Sequence, residues 1–295
     1  MTVQPAPPAV RIAYIISAYK LPDQVSRLVR RLYTDSSSFF VHIDKKADAS
    51  VLREIRANIG DLSNTHFLAQ HTCYWGGFGH VAATLEGIRT VLRLDIPFDY
   101  LVLLTGQDYP IKSTGYISRF LGTHLGSSFL EYCRLPHRDW DDGGMDRVRF
   151  WHLRMFGRHF RFPPARIRFP RRSSPSNVAV FGGSSYWCIT RECAEYIARF
   201  LSDHQDFVRF FKYTDVPDEL FFQTLIMNSP LHNRVVNDDL RHVHWSNWND
   251  GRPAILTEVD LPTLASSSKL FARKFDSTVD RRILDLIDQQ LLTTP

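Results

Sequence analysis

Apolar and polar positions alternate along the chain in two distinct rhythms. Short apolar runs bounded by turn residues take turns with longer segments whose apolar positions recur every three or four residues. The run "RIAYIISAY" (11–19) predicts a buried strand. "PDQVSRLVRRLY" (22–33) follows with a proline–aspartate start and Val25, Leu28 and Leu32 at helical spacing. "SFFVHIDKK" (38–46) is a second strand, followed by a helix near 50–59, a strand at "THFLA" (65–69) and a long helix in "GHVAATLEGIRTVLRL" (79–94). The strand "DYLVLLTG" (99–106) and a helix over 114–122 continue the series. Such alternation predicts βαβ units, hence an α/β fold with a central, mostly parallel sheet flanked by helices.

Further along, "VAVFGGSSYWCITRECAEYIARFL" (178–201) predicts strand, glycine turn, strand and helix. In "DVPDELFFQTLIMNSP" (215–230), Leu220, Phe221, Thr224, Leu225 and Asn228 have helical spacing. A helix there would carry Asp218 and Glu219 in its first turn, where free N–H groups and the macrodipole stabilise acids. A strand at "RHVHW" (241–245) and short helices around "KLFARKFD" (269–276) and "DRRILDLIDQQLL" (280–292) complete the reading. We expect one domain: a nucleotide-binding half over 10–131, a basic insertion over 132–176, an acceptor and catalytic half over 177–276, and a C-terminal helix over 277–295. Ligands of open sheets bind beyond the carboxyl ends of strands. Asp44, the "WGG" at 75–77 and Asp108 are therefore expected to share one crevice.

Composition supports a globular chain: of 295 residues, 44% are hydrophobic and 23% charged. No apolar run approaches the roughly 18–20 residues of a membrane-spanning helix. The first twenty residues lack the basic start and cleavage site of a signal peptide. Cys73, Cys133, Cys188 and Cys193 are irregularly spaced with no C-x-x-C, which argues against a zinc site or a disulfide framework and favours a reducing cytosol. Charge changes the picture more. The net charge is +5, yet the stretch from Arg134 to Arg172 holds eleven arginines, no lysine and four acids. Its interleaved arginines and aromatics suit an anionic surface, an acceptor, or a solvated loop.

Candidate chemistry is sparse in acids. The only D-x-D, Asp139–Trp140–Asp141, lies in the basic insertion and reads as a solvated loop. His242 and His244 share one strand face without an obvious third metal ligand. No G-x-S-x-G, G-x-G-x-x-G or P-loop pattern occurs. Arg252 occupies a glycine–arginine–proline turn, and Arg273 and Lys274 lie between Phe271 and Phe275, where a charge needs a partner.

Six stretches in order, "VHIDKK", "YWGGFGHVAATL", "LLTGQDYPI", "GGSSYWCITRE", "VPDELFFQTLIMNSP" and "LFARKFD", resemble the core-2/I-branching family of glycosyltransferases, which includes peptide O-xylosyltransferases. The resemblance covers roughly residues 10–276. It implies a GT-A-like fold, a UDP-sugar donor, inversion at the anomeric carbon, and no divalent metal or other cofactor. On this resemblance Glu219 matches the catalytic base, Asp44 the aspartate that meets uridine, and Tyr74 with Trp75 the donor pocket. Arg273 and Lys274 match the diphosphate-binding segment, and Arg252 a second diphosphate contact. Glu131 and Trp245 match acceptor contacts, while Asp218 is assigned to capping or to orienting a neighbour. The implied partners are a UDP-sugar, carrying N-acetylglucosamine or xylose, and a glycan or glycoconjugate acceptor, with no nucleic acid. Lack of an anchor and of a disulfide frame suggests a bacterial-type cytoplasmic relative, peripheral at the inner membrane face through its basic insertion. The alternative is a protein that binds polyanions through residues 134–172.

Overall fold

The computed structural model describes residues 10–155, 158–162, 172, 178–245 and 252–293. In chain order its strands begin with β1 (Ile12–Ala18), β2 (Ser37–Ile43), β3 (Thr65–Phe67), β4 (Tyr100–Thr105), β5 (Asp108–Pro110), β6 (Ser128–Leu130) and β7 (Cys133–Arg134). There follow β8 (Trp151–Met155), β9 (Arg158–Phe162), β10 (Phe181–Gly182), β11 (Trp187–Thr190), β12 (Val235–Val236), β13 (Arg241–Val243) and β14 (Phe271–Arg273).

Seven of them form the central sheet in the order β12-β6-β11-β4-β1-β2-β3. All neighbours are parallel except β11, which runs antiparallel to both β4 and β6. The expected mostly parallel, GT-A-like α/β arrangement is thus present. Strand β1 is a continuous apolar run because both of its faces are covered. Ile12, Tyr14, Ile16 and Ala18 pack to one side with Val41, Val102 and Leu104. Ala13 and Ile15 pack to the other with Phe40, Leu101 and Leu103, as period-2 alternation demands. Helices Pro22–Leu32, Ala49–Ile59, Thr114–Thr123 and Arg282–Gln290 cover the first side. Gly79–Arg93, Arg191–Asp203, Gln205–Phe211 and Phe221–Met227 cover the second. Local sequence starts several of them: Asp48, Ser113 and Thr190 each accept a backbone N–H from the first turn they cap.

Three expectations are corrected. Residues 271–273 form a strand, not a helix, in a small sheet of order β13-β14-β5. The spacing of Phe271 and Phe275 suits either period, and the hydrogen-bonded ladder to β5 and β13 decides. The acids at 218 and 219 do not occupy the first turn of the α-helix. Val216 adopts left-handed backbone (φ 44°), Pro217–Glu219 make a separate 3-10 turn, and the α-helix starts only at Phe221. Finally, the described part of the arginine-rich insertion is not a solvated loop. It holds β7, the short helix Asp146–Arg149 and the antiparallel β8–β9 hairpin, and it packs against the 213–219 segment.

Candidate active site

The loop from Gly183 to Tyr186, between β10 and β11, joins two oppositely charged groups. At one end Gly183 N–H donates to the Glu219 carbonyl at 2.9 Å, and Ser185 Oγ donates to Asp218 Oδ2 at 2.9 Å. A side chain at residue 183 is not tolerated, because a Cβ there would lie 2.0 Å from the Glu131 carbonyl oxygen. This close approach seats the acidic turn directly against the end of β6. Arg147 Nη1 donates to Glu219 Oε2 at 2.6 Å, and its guanidinium lies 4.5 Å over the Trp140 ring. Burial raises the Glu219 pKa above the ordinary carboxylate value, Asp218 and Asp215 add to it, and Arg147 opposes. The result is a carboxylate of enhanced basicity held in one position, with about a third of its side chain (34%) still exposed. Asp218 Oδ1 is buried and has no protein donor among the described residues.

At the other end the Tyr186 ring lies 4.3 Å beneath the Arg273 guanidinium. Arg273 Nε donates to Asp108 Oδ1 at 3.0 Å, its directly opposite neighbour in the β14–β5 ladder. Asp108 is fully buried and also accepts from Thr105 N–H at 2.6 Å. This corrects the expectation that Asp108 lines the crevice: it stands behind, fixing Arg273. Lys274 has no carboxylate within ion-pair distance among the described residues. Burial lowers its pKa first, and Arg273, Lys20 and Arg252 lower it further. Four cations therefore converge at the carboxyl ends of β1 and β14, with Lys20 tied to Asp276 at 2.6 Å. Such a cluster is short of negative charge, the condition that favours an anionic ligand.

The end of β2 adjoins the end of β1, where Asp44 N–H donates to the Ala18 carbonyl at 2.9 Å. Asp44 Oδ1 accepts from Lys46 N–H at 2.9 Å and Cys73 N–H at 3.3 Å, and Lys46 Nζ lies 4.7 Å over the Tyr74 ring. Burial pushes the Cys73 thiol up to about 12, with Asp44 and Asp218 both adding to the shift. Gly76 has a positive φ of 68°, and a Cβ there would sit 2.7 Å from Arg154 Nη2. The glycine lets the Arg154 guanidinium lie 5.0 Å over Trp75, whose side chain is 66% exposed.

Glu131 is exposed at the end of β6, and its pKa is raised by burial and by Asp239, with Lys269 opposing. Trp245, 39% exposed, follows β13, and the adjoining residues 246–251 lie outside the described ones. The structure adds Arg147, Arg154, Asp215, Ser185, Tyr186 and Lys20 to the neighbourhood. Arg147 was one of eleven arginines in its stretch, and no local signal singled it out. The Ser-Ser-Tyr after the double glycine was a visible signal, since polar residues between two strands invite a role.

Among the described residues, one group could hold a metal ion: His152, His159 and Asp215, with ligand atoms within 4.8 Å of one another. Its two imidazoles already share a hydrogen bond of 2.9 Å, and Asp215 is neutralised by Arg154 at 2.5 Å. Burial first, then Arg154 and Arg161, lower the His159 pKa, with Asp215 opposing. Among the described residues the His242–His244 pair acquires no ligand set, and His244 Nδ1 lies 3.4 Å from Asp260 Oδ1. Asp139 of the D-x-D is exposed beside Arg138.

The sequence pattern of the family described as Core-2/I-Branching enzyme matches residues 12–265. This chain belongs to the Core-2/I-branching family of glycosyltransferases. Its relatives include xylosyltransferase 1 of Rattus norvegicus, 25% identical over 305 residues, which is 97% of this chain and 36% of the relative. Xylosyltransferase 2 of Homo sapiens is 27% identical over 313 residues, 96% of this chain and 34% of the relative. The chain spans about a third of the length of these curated relatives. All four cysteines are free, and no helix among the described residues is long and apolar enough to cross a membrane.

Proposed function

We propose that this chain transfers a sugar from a UDP-sugar to a hydroxyl acceptor on a glycan or other glycoconjugate, with inversion and without a divalent metal. The observation that supports the reading is the Gly183–Tyr186 loop, which binds the acidic turn at one end and packs under Arg273 at the other. It ties together the two charges that an inverting displacement needs. Glu219 is assigned the general base: it removes the acceptor hydroxyl proton as the oxygen attacks the anomeric carbon from the face opposite the leaving UDP. Lys274 and Arg252, with Lys20 nearby, neutralise the diphosphate as the glycosidic bond breaks, in the place where other transferases use an ion. Arg273 is committed to Asp108, so we assign it to holding Lys274 in place and adding to the potential. Asp44, Tyr74 and Trp75 are assigned to the nucleoside end, and Glu131, Asp218 and Trp245 to the acceptor. Xylose is the sugar that the names of the curated relatives carry, and N-acetylglucosamine is the alternative that the sequence resemblance implies.

The competing reading, a polyanion-binding face, loses support because Arg147, Arg154, Arg161 and Arg172 commit their guanidinium groups to Glu219, Asp215, Asp146 and main-chain carbonyls.

Thermal-shift titration with UDP, UDP-xylose and UDP-N-acetylglucosamine, each with and without EDTA, tests the proposal. Stabilisation indifferent to chelator is expected. Lys274→Ala is expected to weaken UDP binding about tenfold or more, the scale of a lost charge-assisted contact. Glu219→Gln is expected to keep UDP binding and lower kcat by about 10²–10⁴. If no UDP compound stabilises the protein, the proposal is wrong.

A further inference from the structure

The β8–β9 hairpin wears its amphipathicity inside out. Opposite residues in its ladder are Trp151 with Phe162 and Leu153 with Phe160, and alternation places all four on one face. Those side chains are exposed: Trp151 by 42%, Leu153 by 40%, Phe160 and Phe162 by 49% each. The other face carries His152, Arg154, His159 and Arg161; His152 and Arg154 on β8 meet the protein, while His159 and Arg161 on β9 stay exposed. His152 Nε2 lies 3.0 Å from the Asp146 carbonyl oxygen, Arg154 pairs with Asp215, and Arg161 pairs with Asp146 at 2.8 Å. Tyr213, packed edge-on against Trp151 with ring centroids 5.2 Å apart, extends the apolar face toward the acidic turn.

A hairpin on a globular protein ordinarily packs its apolar side inward. Here ion pairs and hydrogen bonds hold β8 by its polar side, and an apolar patch of the kind that marks an interaction surface is left outside, with the Arg172 guanidinium 4.7 Å over the Trp151 ring at its border. We propose that this face inserts into the interface of an anionic lipid bilayer. The charge of the surrounding chain selects that occupant. Four arginines of the basic stretch are committed to protein partners, but Arg134, Arg138 and Arg158 are exposed, the last on the hairpin itself. A second copy of the chain docked on the same face would bring two such stretches together at a repulsive cost. A negatively charged membrane surface attracts them, while its interfacial layer accepts tryptophan and phenylalanine. Membrane docking would set the crevice beside Trp75 and Asp215 next to the lipid surface. On the transfer reading above, that favours acceptors displayed there.

Vesicle binding needs neither donor nor acceptor, so its outcome is separate from that of the transfer reaction. Co-sedimentation of the whole chain with large unilamellar vesicles of phosphatidylcholine, with and without 30% phosphatidylglycerol (about that fraction is chosen to give a strong negative potential), is the test. Binding to the anionic vesicles at least about tenfold stronger than to the neutral ones is expected. The double substitution L153S/F160S, at exposed positions that leave the polar clamp intact, is expected to reduce it at least about tenfold. Its thermal midpoint and far-ultraviolet circular dichroism are expected to match the parent. No binding to anionic vesicles overturns the proposal. So does binding that L153S/F160S leaves unchanged, which would mean charge alone suffices. A dimer in light scattering that becomes a monomer in L153S/F160S would also overturn it, assigning the face to self-association.

Discussion

Glu219 is defined less by its own position than by Arg147. A carboxylate partly buried beside two other acids binds its proton more tightly than usual, and the guanidinium offsets this while pointing one oxygen in a fixed direction. Replacing Arg147 with methionine keeps the packing over Trp140 and removes the charge. The Glu219 pKa then rises further, and a base is lost when it is protonated. The acidic limb of the kcat/KM profile is therefore expected to move to higher pH in Arg147→Met, with activity recovering as pH increases. An unchanged limb with a uniformly lower rate would instead assign Arg147 to binding. Lys274 obeys the opposite logic. Burial first, then its cationic neighbours, depress its proton affinity, so a diphosphate that supplies negative charge relieves the cluster. None of these partnerships could be read along the chain, because residues 147 and 219 or 20 and 274 meet only through the fold.

The elements show the same division at larger scale. Strands β1, β2 and β4 and the helices between them follow directly from apolar periodicity and caps. The turn at 217–219 does not, since left-handed backbone at Val216 and a broken geometry at Leu220 interrupt a pattern that otherwise looks helical. The double glycine before Ser184 anchors that turn, and its requirement is steric. Gly183→Ala would force a Cβ against the Glu131 carbonyl, and overpacking of this kind costs about 1–3 kcal/mol. It would also disturb the N–H that holds the Glu219 carbonyl. Chemical denaturation is expected to show the loss, with kcat reduced alongside. Gly115→Ala is the control. Its nearest neighbour would be the flexible end of Arg119 at 3.5 Å, within helix Thr114–Thr123, and no loss of stability is expected. Equal effects at both positions would refute the steric account.

For the whole molecule, His42 is a buried source of pH sensitivity. His42 on β2 is buried, and burial first, then His71, pushes its pKa down to about 4. Its Nε2 accepts the His71 N–H at 3.0 Å, which requires a neutral ring. In the unfolded chain an imidazole titrates near 6.5. The native ring binds its proton less tightly than the unfolded one, so the full contribution is present above that value and is lost as pH falls from about 6.5 toward 4. The loss reaches about 3 kcal/mol at most. Thermal midpoints measured across this window are expected to fall in the parent and to fall less in His42→Gln; parallel curves would remove His42 as the cause.

The sequence by itself determined the layered α/β plan, because burial on both faces of a parallel sheet leaves an unbroken apolar strand and burial on one face of a helix leaves a 3.6-residue rhythm. It also held the family's ordered motifs, and with them the acids and cations at 44, 218, 219, 252, 273 and 274. What only the tertiary structure decided is which charges are already neutralised. Asp108 was expected in the crevice and is consumed by Arg273, while the arginines of the insertion turn inward to Glu219, Asp215 and Asp146. Periodicity records whether a side chain is buried, which is a local property of each element. The partner that balances a buried charge comes from a different element, and the chain order carries no trace of that distance.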